Sequence, residues 1–137
     1  MDIFEHIMKE HREVEGMMRT LSNGFDQRTV DDLKLVLAAH MGAEEGSLFP
    51  AIGDIAADLV EHAREEHDEI RERLGTLSEG GGFASKVSIL TEVIDDHFKD
   101  EEDDIFPKAK TVLDRGEIGR LSSKFDELDD RIAQRAK

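Results

Sequence analysis

The stretches HMGAEEGSLFP at residues 40–50 and HFKDEEDDIFP at residues 97–107 are two copies of one pattern. In each copy a histidine precedes a glutamate by four residues, and each copy ends in Phe-Pro. The other four histidines pair under nearly the same shift, because His6 corresponds to His62 and His11 to His67. The chain is therefore a doubled unit of two helices. Ligands of a metal in a pseudo-symmetric site would be kept in this way.

Length and composition restrict the class of protein. A chain of 137 residues fits a single domain spanning residues 1–137. The net charge of −15 argues against nucleic acid, whose phosphates require a basic face. No run of 18 apolar residues and no secretory signal are visible, so we expect no membrane association and a cytoplasmic location. The chain has no cysteine, which excludes disulfides and thiolate ligands.

Apolar residues recur at helical spacing along most of the chain. The pattern predicts an all-α fold, an up-down-up-down four-helix bundle over about residues 1–110, built from two duplicated helical hairpins. A short fifth helix is expected at about residues 117–135. Asp2 is the expected N-cap of the first helix, and each Phe-Pro pair is expected to end a helix. The four bundle helices are predicted at about 2–21, 29–50, 56–78 and 84–106.

Six polar residues occupy positions within the apolar stripes that should face the bundle core. Four are histidines and two are glutamates: His11, His40, Glu44, His67, His97 and Glu101. A buried carboxylate costs several kcal/mol unless it is paired or binds a metal. None of the four stripes contains a lysine or arginine. The pattern therefore predicts that an external cation neutralises the two glutamates.

The spacing of histidine and glutamate is not specific by itself, because acids are so common in this chain. Glu10, Glu15 and Glu66 also lie four residues after a histidine, yet they fall outside the apolar stripes. Glu45 and Glu102 are expected either to be solvated or to hydrogen-bond to a metal ligand without binding the metal. Replacing either one with alanine should therefore change the metal content little. The competing interpretation is that the six residues are partly exposed and form ordinary ion pairs.

The roles of His6 and His62 stay open at this point. Each lies five residues before a stripe histidine, about 140° away around the helix. They are either flanking surface residues or partners of the ligands, and an alternative ligand role is also conceivable.

The donor set restricts the metal. Four imidazoles and two carboxylates do not suit Ca²⁺ or Mg²⁺, which prefer oxygen ligands. Six ligands are too many for one tetrahedral Zn²⁺. They suit two ions bridged by both carboxylates, each ion held by about two histidines, with an oxo or hydroxo bridge and positions left for O₂, NO or peroxide. No histidine follows an acid by three residues, so the Glu-x-x-His pattern of ferritin-type sites is absent.

The six spaced positions, followed by EEGSLFP and EEDDIFP, resemble the hemerythrin-like (HHE cation-binding) domain family over residues 1 to about 110. The resemblance implies a four-helix bundle around a cofactor of two non-haem Fe ions. It implies iron ligation by the four stripe histidines and bridging by Glu44 and Glu101. Members of the family carry or sense oxygen, sense iron, or handle nitric oxide, peroxide or iron–sulfur cluster repair.

The chain departs from the respiratory hemerythrin pattern at one position. Those proteins have a further histidine one turn before the ligand of the third helix, and Ala63 occupies that position here. We therefore expect a more open iron.

Three functions remain possible on the sequence alone. The first is a non-haem di-iron protein that binds O₂, NO or a related small molecule for binding, sensing or storage. The second is a di-iron enzyme acting on peroxide or nitric oxide. The third is a metal-free helical interaction module.

Overall fold

The computed structural model describes residues 1–136, which form helices joined by short turns. In chain order the elements are α1 (Ile3–Ser22), α2 (Gln27–Gly46), α3 (Leu48–Ile52), α4 (Ala57–Gly75), α5 (Phe83–Asp100), a π-helical turn (Glu101–Ile105), α6 (Phe106–Val112) and α7 (Arg115–Ala136). Asp2 caps α1 as predicted, because its carboxylate accepts a hydrogen bond from the backbone N–H of Glu5 at 2.9 Å. Each of these helices is too short or too polar to span a bilayer.

Helices α1, α2, α4 and α5 form the predicted up-down-up-down bundle. The hairpin of α1 and α2 packs against the hairpin of α4 and α5 through α1–α5 and α2–α4 contacts. Both hairpin turns use glycine at positive φ, with Gly24 at 145° in the first and Gly82 at 84° in the second. Residues other than glycine rarely adopt a positive φ, so Gly24 and Gly82 allow the two tight reversals.

The two Phe-Pro pairs do not end helices, and this prediction was wrong. Pro50 lies inside α3 and Pro107 lies at the start of α6. Backbone N–H groups in the first turn of a helix have no carbonyl partner within it, so proline is tolerated there. The first copy instead breaks at Ser47, whose φ and ψ are −128° and −80°. The second copy continues through the π-helical turn.

The last helix lies where it was expected. The sequence predicted a short fifth helix at about residues 117–135, and α7 covers Arg115–Ala136, although with 22 residues it is the longest helix in the described part of the chain and not a short one. It lies along α2, where two glycines allow close approach. A Cβ atom at Gly42 would come within 2.5 Å of the Ile132 side chain, and one at Gly46 within 2.7 Å of Leu128.

The buried apolar residues form two clusters along the bundle axis. The cluster near the hairpin turns includes Val14, Leu37, Ile70 and Ile94. The cluster at the opposite end includes Ile7, Phe49, Ala63, Phe106 and Phe125. In α1, Ile7 belongs to one cluster and Val14 to the other, and His11 lies between them. The polar residues of the stripes therefore occupy a layer enclosed by apolar side chains on both sides.

Candidate metal centre

The six predicted site residues meet in the interior of the bundle. Their side chains are at most 1 % exposed, so the alternative of partly exposed ion pairs is wrong. Each bundle helix contributes at least one of them. Helix α1 supplies His11, α4 supplies His67, and α2 supplies both His40 and Glu44. Helix α5 supplies His97, and the π-helical turn that follows it supplies Glu101.

The ligand atoms divide into two groups that share both carboxylates. Within each group, one nitrogen or oxygen atom per residue lies within 4.8 Å of the others. The first group joins His11 and His40 with the two glutamates, and the second joins His67 and His97 with the same glutamates. This arrangement fits two neighbouring cations bridged by carboxylates from opposite halves of the duplication.

Each shared carboxylate contacts one histidine from its own helix and one from the other half of the chain. Glu44 Oε1 lies 3.3 Å from Nε2 of His40 and 3.2 Å from Nε2 of His67. Glu101 Oε1 lies 3.0 Å from Nε2 of His11 and 3.5 Å from Nε2 of His97.

Most of these inward atoms lack a hydrogen-bond partner. They are Nε2 of His40, His67 and His97, both carboxylate oxygens of Glu44, and Oε2 of Glu101. Unpartnered buried polar atoms are rare in folded proteins. Since all six converge on one interior region and are donors of types that bind transition metals, the residues present fit a metal centre.

The opposite nitrogen of every histidine is held by an outer carboxylate. The Nδ1–H group donates to a carboxylate at 2.8 to 2.9 Å in four pairs: His11 to Glu102, His40 to Glu10, His67 to Glu45 and His97 to Glu66. The pairs of His11 and His40 correspond to the pairs of His67 and His97 under the duplication. A carboxylate on Nδ1 fixes the ring orientation, so that Nε2 points inward and offers its lone pair whenever the ring is neutral.

Two arginines outside this layer hold two of the outer carboxylates. Arg12 forms an ion pair with Glu102, and Arg71 donates to Glu45 from both terminal nitrogens. The hydrogen bond from His67 and the charge of Arg71 overcome the effect of burial and lower the pKa of Glu45 to about 2. Glu45 and Glu102 are therefore not solvated acids, because each holds the imidazole of one predicted ligand, His67 or His11.

His6 and His62 lie one step further out and contact none of the six site residues directly. Nε2 of His6 is 3.5 Å from Glu10, and Nε2 of His62 is 3.5 Å from Glu66. His6 also pairs with Asp126 of α7 at 2.6 Å. His62 also lies 3.5 Å from Asp100, but it remains 61 % exposed.

Glu101 is the first residue of the π-helical turn. Such turns are rare within α-helices and often occur at functional sites, because the wider turn changes the direction of nearby side chains. In the first copy, α2 ends at Gly46, two residues after Glu44. Both halves therefore leave α-helical geometry at or just after the glutamate that the two groups share, by different means.

Glu44, Glu101 and His40 strongly influence one another's protonation. Burial and the nearby Glu44 carboxylate raise the pKa of Glu101 well above its usual value. Burial opposes ionisation of Glu44 too, but the charge of His40 outweighs it and holds the pKa of Glu44 well below the usual value. Burial similarly opposes protonation of His40, yet Glu44 and Glu10 raise its pKa well above normal. Cations binding here would have to displace these protons.

Sequence reasoning passed over Glu10 and Glu66 because they lie outside the apolar stripes. A signal was nevertheless present, since both acids immediately precede a stripe histidine and both obey the duplication. The repetition of the Glu-His pair in both halves could have identified Glu10 and Glu66 as candidate residues of the centre.

Comparison with known proteins agrees with this geometry. The Hemerythrin HHE cation binding domain family matches residues 2–109. The crystal structure of a Hemerythrin HHE cation binding domain-containing protein from Mycobacterium kansasii is similar in fold, with a TM-score of 0.86 and 21 % sequence identity over 98 % of this chain and 88 % of that one. No curated protein matches significantly. The match over most of the chain shows that it belongs to the hemerythrin HHE cation-binding domain family.

Proposed function

We propose that this chain is a non-haem di-iron protein that binds O₂ or a related small molecule at the centre of its bundle. His11 and His40 would hold one ion, and His67 and His97 the other. Glu44 and Glu101 would bridge them. The proposal assigns both ions to this one set of six residues, so a single site accounts for every buried charge in the four stripes.

The observation that carries the proposal is the sharing of two carboxylates by two groups of histidines. A single cation would leave half of the inward nitrogens without a partner. Two imidazoles and two shared carboxylates per ion give only four protein ligands, which is fewer than iron commonly takes. Bound iron would therefore supply open coordination positions and one-electron redox chemistry.

The protein's own side chains would prepare the site for that chemistry. The outer carboxylates hold each imidazole in one orientation, so little rearrangement is needed when a metal binds. Phe98 stacks on His11 at 3.7 Å, and Phe49 lies 5.2 Å from His67. These apolar rings restrict water around the centre and favour small, weakly polar ligands.

Metal analysis of protein prepared with iron tests the proposal. We expect two Fe ions per chain and a charge-transfer absorption that changes on addition of azide. Glu44→Ala should lower the iron content, whereas Glu13→Ala, at an exposed position of α1, should leave it unchanged. One zinc per chain, or no metal, would overturn the proposal. Turnover of peroxide or nitric oxide by the same preparation would favour the enzyme alternative over binding alone.

A further inference from the structure

A groove between α1 and α5 descends from the surface to the wall of the metal centre. Its volume is about 460 Å³, and its lining includes Arg12, Met18, Thr91, Phe98 and Glu102. Two of these residues touch His11 from different sides. Phe98 stacks on its ring, and Glu102 accepts the hydrogen bond from its Nδ1 at 2.8 Å. The groove is therefore separated from a predicted ligand by one layer of side chains.

Phe98 is the larger part of that layer. Its ring lies 3.7 Å from the His11 ring at an interplanar angle of 11°. Its centroid is also 6.2 Å from that of His40 and 6.1 Å from that of His97. The residue lines the groove, yet it is only 2 % exposed. One ring thus lies close to three of the four histidines and also lines the groove.

The remainder of the layer is the Glu102 side chain, which is held in place by charged partners. Glu102 binds His11 and also forms an ion pair with Arg12, which is half-exposed at the rim. Displacing Glu102 would break both contacts. Displacing the Phe98 ring would break no hydrogen bond, because its contacts are apolar or stacking. Phe98 is accordingly the part of the wall that can move at the lower cost.

We propose that this groove is the route by which small molecules reach the centre, and that Phe98 is the gate that limits their size. The inference rests on the proposed di-iron function and deepens it by naming the route and the class of ligand. The rim carries both signs of charge, with Arg12, Arg19 and Lys99 opposed by Glu15, Asp95 and Asp103. Because neither sign prevails strongly, size rather than charge should decide which ligands pass. The expected class is molecules of two or three atoms.

The duplication provides a matched control. Phe98 follows His97 directly, and the residue in the same place after His40 is Met41. Met41 is equally buried, at 1 % exposure, and belongs to the same apolar cluster, but it does not line the groove. Met41→Ala should therefore loosen the core as Phe98→Ala does without opening the route.

The test measures azide binding to iron-loaded protein by stopped-flow absorption. Phe98→Ala should raise the association rate constant at least about tenfold, because association is slowed when it must await a conformational change. Phe98→Leu should give a smaller rise, and it keeps enough volume to fold if the alanine variant does not. Phe98→Trp should slow association. Met41→Ala should stay near the wild-type rate.

A second measurement does not depend on ligand binding. Iron release to a small chelator should be faster in Phe98→Ala than in Met41→Ala at similar melting temperatures. Equal acceleration in both variants would show general softening of the core and overturn the gate. Unchanged rates in Phe98→Ala and Phe98→Leu would also overturn it, while leaving the di-iron function intact. Wild-type protein that holds no iron would overturn both.

Discussion

The carboxylate of Glu10 lies 2.8 Å from Nδ1 of His40, and Glu66 repeats the relationship with His97 at 2.9 Å. The acids come from α1 and α4, and the histidines from α2 and α5. Each pair therefore joins the two helices of one hairpin at the level of the centre. The duplication has preserved a contact between side chains, not merely a set of residue types.

Removal of these outer acids should weaken metal binding without unfolding the protein. Glu10→Ala and Glu66→Ala leave Nδ1 of the histidine unheld, and loss of such a partner typically lowers metal affinity about 10- to 100-fold. Competition with a chromophoric chelator measures the affinity. Glu13→Ala removes an exposed acid from α1 and serves as the control. Affinities equal to the control would contradict an orienting role.

The inner and outer acids of each adjacent pair should differ in severity. Glu44→Ala and Glu101→Ala remove a carboxylate that both groups of histidines share, and each should abolish binding of at least one ion. Glu45→Ala and Glu102→Ala remove the partner of a histidine and should lower affinity about 10- to 100-fold while keeping the metal count at saturation. Metal content and affinity, measured separately, resolve the two effects. A larger loss of metal content in Glu45→Ala than in Glu44→Ala would reverse the assignment.

The structure shows which parts of the centre the sequence could predict. The stripes identified the six inward residues because helical periodicity directly determines which side chains face the core. The same criterion rejected Glu10 and Glu66, since they lie at the edges of the stripes and reach their partners only across a helix–helix contact. Such contacts depend on tertiary packing, which periodicity within a single helix does not encode.

The helix ends were predicted less well than the helix faces. A Phe-Pro pair can end a helix or begin the next one, and the local sequence is the same in either case. Whether the chain breaks, as at Ser47, or widens into a π-helical turn, as at Glu101, depends on how the flanking segments pack. The bounds of α7 were predicted to within two residues, but its packing along α2 was not, because its contact with the glycines of α2 is not local.

The packing of α7 on α2 should depend on Gly42. The Cβ atom of a leucine there would already lie 2.5 Å from Cδ1 of Ile132, and overpacking of this kind typically costs about 1–3 kcal/mol. Gly42→Leu should therefore lower the free energy of unfolding, measured with urea. Gly75→Leu is the control, because within residues 1–136 a Cβ atom at this position would meet nothing within 4 Å beyond its chain neighbours and the backbone of its own helix. Equal stability of the two variants would mean that α7 does not pack closely.

Metal removal should lower stability, most clearly near neutral pH. A ligand that binds only the native state stabilises it by about 4 kcal/mol at a thousandfold excess over its Kd. The same metal must displace the protons that the raised pKa values of Glu101 and His40 favour. The difference in melting temperature between iron-loaded and chelated protein should therefore shrink as the pH falls. A difference that is constant between pH 5 and pH 8 would contradict this coupling.

Asp129 of α7 should make the stability of the metal-free protein fall as the pH rises. Burial and the adjacent Glu10 carboxylate raise the pKa of Asp129 from 3.8 to about 8. Between these values the native state keeps a proton that the unfolded chain has released, so raising the pH favours unfolding until the native carboxyl has also ionised. Asp129→Asn removes this titration but keeps the shape of the side chain.

The variant should consequently match the wild type near pH 4 and be more stable by about 1–3 kcal/mol at pH 9, within the usual range of single substitutions. Urea unfolding of chelated protein across this range measures the effect. Asp130→Asn removes the same charge from the exposed neighbouring position and should leave the slope unchanged. If Asp129→Asn kept the wild-type slope between pH 4 and pH 8, its carboxyl would not be the group that retains the proton. If Asp130→Asn flattened the slope equally, the effect would come from the net charge of α7 and not from the contact with Glu10.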